Sequence, residues 1–424
     1  MPFECKGALT LLLDNLRRKL TRLIPETESQ FLLPARTWKF LENEAEIPAR
    51  ACKRQPIFGQ LREVSGGGLV VPFFMKMKFS NKFEDIISIE NLLGAWKEFL
   101  KGKRGKADVQ EFSLRLMDNI LTLHEDLSKF SYRHGSYLGF NISDPKPRNI
   151  HKAVVRDRLL HHAVYRLLYP FFERIFIADS YSCRLNKGTH RAINRFRAMA
   201  YKASRNSTRT CWVLKCDIRK FFANINHEIL GNILRQYIDD KNTTWLLKEV
   251  IESFYSAGRG IGLPLGNLTS QLFVNIYMNE FDQFLKHKLK VKYYIRYADD
   301  FVVFSEDKQY LENLIPQIRE LLKNELKLDL HTDKIFIRTL SSGVDFLGWV
   351  HFPDHRILRT TTKKRMLRRI YQSPVPETLN SYLGLLSHGN TDKLEKKIRH
   401  YAQRGSSENS IRGQRIPGDA ECRL

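Results

Sequence analysis

Apolar and polar residues follow two different periods along this chain, and the two periods predict helices in some segments and strands in others. Apolar residues at helical spacing predict helices over Ile89–Leu100 and Val109–Leu127, separated by the basic loop 101–106. A longer helix with mostly core positions is expected from Asp157 onwards, and its His161 and His162 are interpreted as structural. Helices with buried apolar faces are also expected around Leu272–Phe281 and around Leu311–Leu322.

Two segments rich in Val, Ile, Tyr and Phe predict strands. Trp212–Asp217 (WVLKCD) is a short apolar strand that ends in a carboxylate. Val291–Ser305 (VKYYIRYADDFVVFS) is typical of a strand, a tight turn and a second strand, with Asp299 and Asp300 at the tip. The mixture of helices and short hairpin-forming strands favours an α+β fold.

The two ends of the chain carry weaker patterns. Five leucines at helical spacing around Leu11–Leu23 predict one amphipathic packing helix, and Pro48, Pro56 and the 66–68 glycine run are typical of loop or linker. We assign residues 1–82 no role beyond an N-terminal extension. Residues 401–424 form a basic tail rich in Ser, Gly and Arg, for which we expect disorder.

Charge narrows the class of partner. Lys and Arg total 70 against 46 Asp and Glu, so the net charge is +24, which favours a polyanionic partner such as nucleic acid. No apolar run approaches the roughly 20 residues of a spanning helix, so no membrane is expected. Six cysteines without CxxC or His/Cys ligand spacing predict neither zinc nor disulfides, and we expect a reduced, cytoplasmic protein.

Three aspartates suggest chemistry. Asp299 and Asp300 alone are compatible with an ordinary Asp turn, and Asp217 alone is compatible with a helix cap. If the two strands are neighbours in an antiparallel sheet, however, the three carboxylates come together and repel one another unless cations neutralise them. Such a cluster suits two Mg²⁺ ions, with Mn²⁺ as a substitute, that assist attack of a 3′-hydroxyl on an α-phosphate.

A proline-stiffened basic segment precedes the aspartates. Lys146 and Arg148 lie between and after Pro145 and Pro147, which hold them on extended backbone. Cations held in this way suit a nucleoside triphosphate, whereas the alternative interpretation is a turn with surface charges.

These segments together resemble the reverse transcriptase family over roughly residues 83–400. Tyr297–Asp300 (YADD) is similar to the YxDD box, and Asp217–Phe222 (DIRKFF) is similar to the first catalytic box. The order of the remaining boxes also agrees, at Lys146–Ile150, Leu265–Gln271, Lys334 and Phe346–Trp349. Lys334 is expected to follow a short strand, as the lysine of its box does in this family. The resemblance implies a right-hand polymerase with fingers at 83–210, a palm at 211–350 containing an antiparallel sheet with the YADD hairpin, and a helical thumb at 351–400.

The resemblance also assigns roles to individual residues. Asp217, Asp299 and Asp300 would be catalytic and would bind metal, with the Ile218 carbonyl as a further ligand. Phe222 would contact the sugar and exclude ribonucleotides. The expected nucleotide-binding set is Lys146, Arg148, Phe222, Leu265, Gly266, Gln271 and Lys334, and the expected primer grip is Phe346, Leu347, Gly348 and Trp349.

One box indicates a subtype. In Gly262–Gln271 (GLPLGNLTSQ), Leu265 stands where most reverse transcriptases have Gln, and Gln271 stands where Pro is usual. This variant is similar to the enzymes of diversity-generating retroelements, which copy a template RNA with frequent errors opposite adenine. An apolar Leu265 cannot hold the nucleotide by directed hydrogen bonds, which gives a physical route to low selectivity.

The resemblance further implies the partners. They are a template RNA, a cDNA or primer strand, deoxynucleoside triphosphates and, in this retroelement type, a small basic helical accessory protein. Basic residues clustered at 363–369 predict a thumb that binds a duplex through its phosphates.

Several alternatives stay open from the sequence. Within the enzyme class they are a retron, a phage-defence or a group II intron-like reverse transcriptase, although no maturase module is expected after the thumb. A palm-type nucleotide cyclase would not need the basic thumb. From another class, a non-catalytic RNA-binding scaffold is the rival, and the retention of all three aspartates argues against it.

Overall fold

The structure is a computed structural model, and it describes residues 77–143, 147–256, 258–373 and 375–399. The predicted N-terminal helix around Leu11–Leu23, most of the extension 1–82, the predicted nucleotide contact Lys146 and the tail 401–424 lie outside the described residues. No helix within the described ranges has both the length and the apolar character needed to cross a lipid bilayer.

The helices confirm most of the expected pattern. Ile89–Phe99 matches the first predicted helix, and Val155–Glu173 is the long helix with a buried face. In chain order the helices are α1 Phe83–Ile87, α2 Ile89–Phe99, α3 Ala107–Leu114, α4 Leu116–Ser128, α5 Val155–Glu173, α6 Thr189–Ala203, α7 His227–Arg235, α8 Lys241–Glu252, α9 Leu268–Gln283, α10 Lys308–Asn324, α11 Thr360–Gln372 and α12 Pro376–Leu386.

The predicted single helix over Val109–Leu127 is wrong in one respect, because it is broken into α3 and α4 at Arg115. Arg115 has a non-helical backbone conformation with φ −123° and ψ 43°. The side-chain amide of Asn119 donates to the carbonyl of Phe112 at 3.0 Å and satisfies an acceptor near the break. Local side-chain hydrogen bonds of this kind compete with the helical ladder.

Within the described residues, the strands form three antiparallel sheets. The first is a hairpin, β1 Tyr137–Ile142 with β2 Arg148–Ala153. The second is four-stranded with the order β4-β5-β3-β6, formed by β3 Trp212–Asp217, β4 Tyr293–Tyr297, β5 Asp300–Ser305 and β6 Phe336–Thr339. The third contains β7 Val344–Phe346, β8 Trp349–His351 and β9 Arg356–Leu358. Mixed helices and antiparallel sheets confirm the α+β class.

The four-stranded sheet is covered on both faces. Helix α10 packs its apolar face, including Leu311 and Ile318, into the core that holds Phe301 and Val303 of β5. Helix α6 covers the other face, where the ring centroids of Phe196 and Phe304 lie 4.7 Å apart. Because side chains alternate along a strand, Phe304 points to the same face as Asp300.

The cores do not divide at the predicted boundaries. The largest core is continuous from Phe171 of α5, in the predicted fingers, to Leu214 of β3, in the predicted palm. A separate core joins Trp349 of β8 to Met366 and Ile370 of α11 and Leu386 of α12. The fingers, palm and thumb limits therefore stay predictions.

Candidate active site

Two neighbouring strands bring the three aspartates to one corner of the four-stranded sheet. Asp217 is the last residue of β3 and pairs in register with Asp300, the first residue of β5. Directly opposed residues of an antiparallel pair point their side chains to the same face, roughly 5 Å apart at Cβ. Asp299 lies in the intervening turn, and its carbonyl accepts a hydrogen bond from the Ile218 N–H at 3.1 Å. The three predicted catalytic residues therefore lie together at one end of the sheet, with Ile218 beside them.

A buried ion pair supports the turn that carries Asp299. Ala298 adopts a left-handed backbone with φ +56°, which is costly for a residue other than glycine. The Arg296 guanidinium donates to the Ala298 carbonyl at 3.1 Å and binds the Asp282 carboxylate through two nitrogens, at 2.8 and 2.6 Å. The Tyr294 hydroxyl donates to the same carboxylate at 2.7 Å. The strained turn thus rests on a rigid hydrogen-bonded base.

Burial and mutual repulsion act on the paired aspartates. Burial, and then the charge of Asp217, raise the pKa of Asp299, while Lys334 and Arg148 oppose that increase. Burial is also the largest cause that raises the pKa of Asp300 to about 7, against the opposing effect of Lys215. Negative charge in this corner is therefore destabilised unless cations approach it.

Two lysines provide positive charge in this corner. Lys334 Nζ lies 2.9 Å from Asp217 Oδ1, and Lys215 Nζ lies 3.3 Å from Asp300 Oδ2. Lys215 also donates to the Asp345 carbonyl at 2.8 Å. The sequence analysis missed Lys215, although strand alternation two residues before Asp217 was the signal that could have found it.

Lys334 was expected to follow a short strand, and the structure corrects this. Only Leu330 forms a bridge, to Ile218, and Lys334 ends the short 3₁₀ turn Thr332–Lys334. The turn is tied to the site because the His331 N–H donates to the Asp217 carbonyl at 2.8 Å. Backbone hydrogen bonds therefore bring the lysine to Asp217 without a preceding strand.

The carboxylates have the donor chemistry of a divalent-cation site. Among the residues the structure describes, no three carboxylate, imidazole or thiolate groups converge closely enough to enclose a metal ion as they stand. Within the same residues, however, the buried Asp300 Oδ1 has no hydrogen-bond partner. Oxygen donors alone favour hard cations such as Mg²⁺ and Mn²⁺ over zinc or copper. The residues fit a divalent ion that would exchange with the lysine contacts.

Part of the predicted nucleotide-binding set gathers around the loop 262–267. The Leu263 N–H donates to the Phe222 carbonyl at 2.8 Å, and the Leu265 carbonyl accepts from the His151 N–H of β2 at 3.0 Å. Gly266 has φ +106°, and a Cβ there would lie 2.8 Å from Ile150 Cγ2. A side chain at position 266 would therefore collide with Ile150 of β2, which is a steric reason for glycine there.

The other predicted nucleotide contacts lie at the edges of this group. Arg148 begins β2, is exposed, and is close enough to Asp299 for its charge to oppose the rise in the pKa of that carboxyl. Gln271 lies half-buried in the first turn of α9.

The predicted primer grip is a hairpin between β7 and β8. Leu347 and Gly348 form its two-residue turn, with φ +51° and +86°, as a tight antiparallel hairpin requires. Phe346 and Trp349 flank the turn and are buried, at 0% and 1% exposure. Of the four residues, Leu347 and Gly348 at the tip are therefore the pair that can meet a ligand.

Comparison with known proteins gives a family match over the centre of the chain. Residues 143–351 match the family model described as reverse transcriptase (RNA-dependent DNA polymerase). This range contains Arg148, all three aspartates, the loop 262–267 and the β7–β8 hairpin.

Curated relatives agree with the family match. Protein YkfC of Escherichia coli (strain K12) is 27% identical over 277 residues, which cover 56% of this chain and 70% of that protein. The group II intron-encoded protein LtrA of Lactococcus lactis subsp. cremoris is 24% identical over 315 residues, covering 58% of this chain and 49% of LtrA. A putative COX1/OXI3 intron 2 protein of Saccharomyces cerevisiae is 22% identical over 256 residues, covering 46% and 29%. The matched region thus spans only about half of LtrA and less of the yeast protein.

Proposed function

We propose that this chain, an RNA-directed DNA polymerase by its reverse transcriptase domain, extends a DNA strand on an RNA template with divalent ions held by Asp217, Asp299 and Asp300. The observation that carries the proposal is the register pair Asp217 and Asp300, with Asp299 in the adjoining turn. An RNA-binding scaffold has no use for buried carboxylates that repel one another, whereas a polymerase needs them.

The chemistry divides between the ions and the side chains. When bound, divalent ions would neutralise charge on the attacking and leaving oxygens of phosphoryl transfer. Asp217, Asp299 and Asp300, with the Ile218 carbonyl, would hold these ions, which we take to be Mg²⁺. The 3′-hydroxyl of the growing strand attacks the α-phosphorus of the nucleotide, the bond to the bridging oxygen breaks, and pyrophosphate leaves.

Two cations of the chain face the leaving group in this proposal. Lys334, at 2.9 Å from Asp217, would give a proton or a charge-assisted hydrogen bond to pyrophosphate once its contact with that carboxylate is released. Arg148 on β2, together with Lys146, would bind the outer phosphates. The roles of Lys334 and Arg148 are supported by their charges, which already oppose the rise in the pKa of Asp299. The role of Lys146 rests on the sequence resemblance, since Lys146 lies outside the described residues.

The nucleotide pocket would be formed by Phe222, Leu265, Gly266 and Gln271. Phe222 and the loop 262–267 are joined by backbone hydrogen bonds, so a sugar against the Phe222 ring would also meet this loop. A bulky ring at that position excludes a 2′-hydroxyl and selects deoxynucleotides. The tip of the β7–β8 hairpin would grip the primer.

We further propose the diversity-generating retroelement type, with errors at template adenines. Its support is Leu265, a half-buried apolar side chain at the position where the family resemblance implies an amide in most reverse transcriptases. The group II intron-type relatives favour a second candidate, an intron-type reverse transcriptase of ordinary fidelity. The partners common to both are a template RNA, a primer or cDNA strand and deoxynucleotides, and a small basic accessory protein belongs to the first.

Substitution of Asp299 tests the proposed activity. Asp299→Asn should lower single-nucleotide primer extension on an RNA template by about a thousandfold or more, because metal-ion charge stabilisation contributes several kcal/mol. Asp333→Asn is the matched control, since Asp333 is an exposed acid one residue from Lys334.

The two variants give opposite expectations. Asp333→Asn should extend primers at close to the rate of the unsubstituted protein. Full extension by Asp299→Asn, in protein purified free of other polymerases, would contradict the proposed site.

A further inference from the structure

A polar cavity lies away from the aspartates, at the base of the predicted thumb. It has a volume of about 220 Å³, is partly open to solvent, and is lined by α6, by the β8–β9 turn and by the loop after α12. Its polar lining includes Arg197, His351, His355, Arg356, His388 and Asn390. β8 runs from Trp349, beside the hairpin tip, to His351 at the cavity, so the two sites lie at opposite ends of this strand.

The cavity carries positive charge without a balancing carboxylate. Of the described residues that line it, none is Asp or Glu. Asp354 is the adjacent acid, but its side chain is 84% exposed and pairs with His355 at 2.8 Å. Arg197 is exposed and donates through Nη2 to the Asp354 carbonyl at 3.1 Å, so its charge, like that of Arg356, is not balanced by an acidic side chain of the lining.

Buried polar atoms in the lining also lack partners. Arg356 donates through Nη2 to Asn194 at 2.8 Å and through Nε to the His388 carbonyl, but its buried Nη1 has no partner among the described residues. His351 is 2% exposed, and its Nε2 is likewise without a partner in this part of the chain. Arg356 Nη1 is a buried donor without a partner, which is costly, so a bound acceptor at this nitrogen would stabilise the cavity.

Burial and the uncompensated positive charge of the cavity lower the pKa values of Arg356, His351 and His388. Burial, and then the charge of Arg197, lower the pKa of Arg356. Burial, and then the charge of Arg356, lower the pKa of His351 to about 3. Burial, His190 and Arg356 lower the pKa of His388. A bound anion would oppose the part of these effects that comes from the charges of Arg197 and Arg356.

We propose that this cavity binds a single phosphate group. Its volume equals that of roughly seven water molecules at about 30 Å³ each, which is sufficient for a phosphate with its hydration or with part of a sugar. Planar guanidinium groups are the preferred ligands of phosphate oxygens, and Arg356 offers one free buried donor. The group is either free phosphate or the terminal phosphate of a nucleic acid strand. The proposal does not depend on polymerase activity.

Calorimetric titration with inorganic phosphate tests the site. At constant ionic strength one saturable site is expected, and Arg197→Gln should weaken it by about tenfold, the factor for one charge-assisted contact. Arg197 is exposed, so this variant should keep its fold, and Arg356→Gln should weaken binding further. Arg209→Gln, an exposed arginine outside the cavity, is the matched control and should bind as the unsubstituted protein does.

A competition experiment distinguishes free phosphate from the terminal phosphate of a strand. A hybrid duplex with a 5′-phosphate that displaces inorganic phosphate better than its 5′-hydroxyl twin indicates a strand end. Equal displacement by the two duplexes, with inorganic phosphate still bound at the Arg197-dependent site, indicates free phosphate. Phosphate binding that does not saturate, or that is as tight in Arg197→Gln and Arg356→Gln as in Arg209→Gln, would overturn the proposal.

Discussion

Lys215 shows how a single side chain links the aspartates to the hairpin beside them. Its ammonium group lies 3.3 Å from Asp300 and donates to the carbonyl of Asp345, a residue of β7. Asp345 in turn pairs with Arg359, whose N–H donates to the Gly348 carbonyl at the hairpin tip. One chain of contacts therefore runs from a carboxylate of the proposed metal site to the proposed primer grip.

Leu265 gives the residue-scale prediction, because it distinguishes the two proposed subtypes. Leu265→Gln restores a hydrogen-bonding amide in the loop beside β2. Misincorporation opposite template adenine should fall by roughly 2- to 10-fold, the factor that one hydrogen bond of about 0.5–1.5 kcal/mol gives. The measurement is the error frequency at adenines in sequenced primer-extension products.

Leu265→Met is the control for this prediction. Methionine conserves volume and apolarity, so it should leave the error frequency where leucine has it. Equal error frequencies in the Gln and Met variants would contradict the role of Leu265 and would favour the intron-type candidate.

For individual residues, the sequence predicts which side chains carry the chemistry better than it predicts which atoms those side chains contact. The sequence brings Asp217 to Asp299 and Asp300 only if their strands are neighbours, and the register pair Asp217 and Asp300 meets that condition. The catalytic role of the three aspartates stays a prediction. The bond from Lys215 to Asp345 could not be predicted, because it depends on how the β7–β8 hairpin packs against β3. Gly266 was expected to face a nucleotide, whereas the atom that a side chain there would strike belongs to Ile150.

The β4–β5 hairpin is the element that sets the geometry of the site. Its turn combines the left-handed Ala298 with the carboxylates of Asp299 and Asp300, and a buried base of Arg296 and Asp282 holds it. Both members of this ion pair are almost fully buried, at 1% and 0% side-chain exposure. The hairpin was predicted from its apolar runs, but the partner Asp282 was not, because it comes from α9.

Arg296→Lys tests whether this base positions the aspartates. Lysine keeps the charge but loses the fork that reaches Asp282 and the Ala298 carbonyl together. The rate constant of single-turnover extension should fall by about 10- to 100-fold, the factor for a lost charge-assisted hydrogen bond, while KM for the nucleotide changes much less. Quench-flow primer extension gives both quantities.

Tyr294→Phe separates positioning from stability. It removes a hydrogen bond to the same Asp282 carboxylate, with an expected loss of about 1 kcal/mol in the free energy of unfolding, and leaves the Arg296 bond to Ala298 in place. Urea unfolding measures that loss for both variants. If Tyr294→Phe slows extension as much as Arg296→Lys, the network acts through stability alone.

Helix and strand limits followed the sequence pattern wherever the period was long and clear. α2, β3 and the β4–β5 hairpin agree with their predicted limits to within a few residues. The break at Arg115 was missed because its cause, the Asn119 side chain bonding to Phe112, is one contact inside a continuous helical period. The hydrophobic pattern indicates which positions are buried, and it does not show a single side-chain hydrogen bond that competes with the helix.

At the scale of the whole molecule, the net charge is +24, and the sheet separates the surfaces that carry the basic residues discussed below. The aspartates and α6 lie on one face of the four-stranded sheet, and α10 covers the other. Helix α11 packs with β8 and β9 through Met366 and Ile370, and its exposed Lys364 and Arg368 lie four residues apart on one side. Because a Cβ on Gly348 at the hairpin tip would lie 3.5 Å from Thr362 Oγ1 of α11, we expect a duplex that leaves the site past this tip to reach these cations.

Salt dependence of duplex binding tests this arrangement. If Lys364 and Arg368 each neutralise one phosphate, Lys364→Gln with Arg368→Gln should reduce the slope of log K against log salt by about 2 and weaken binding to all hybrid sequences alike. The control pair is Arg319→Gln with Lys323→Gln, which has the same residue types, spacing and charge change on exposed positions of α10. Because α10 covers the opposite face of the sheet, its variant should keep the original slope in fluorescence anisotropy titrations. An equal loss of slope in both variants would mean that net charge, rather than the α11 surface, holds the duplex.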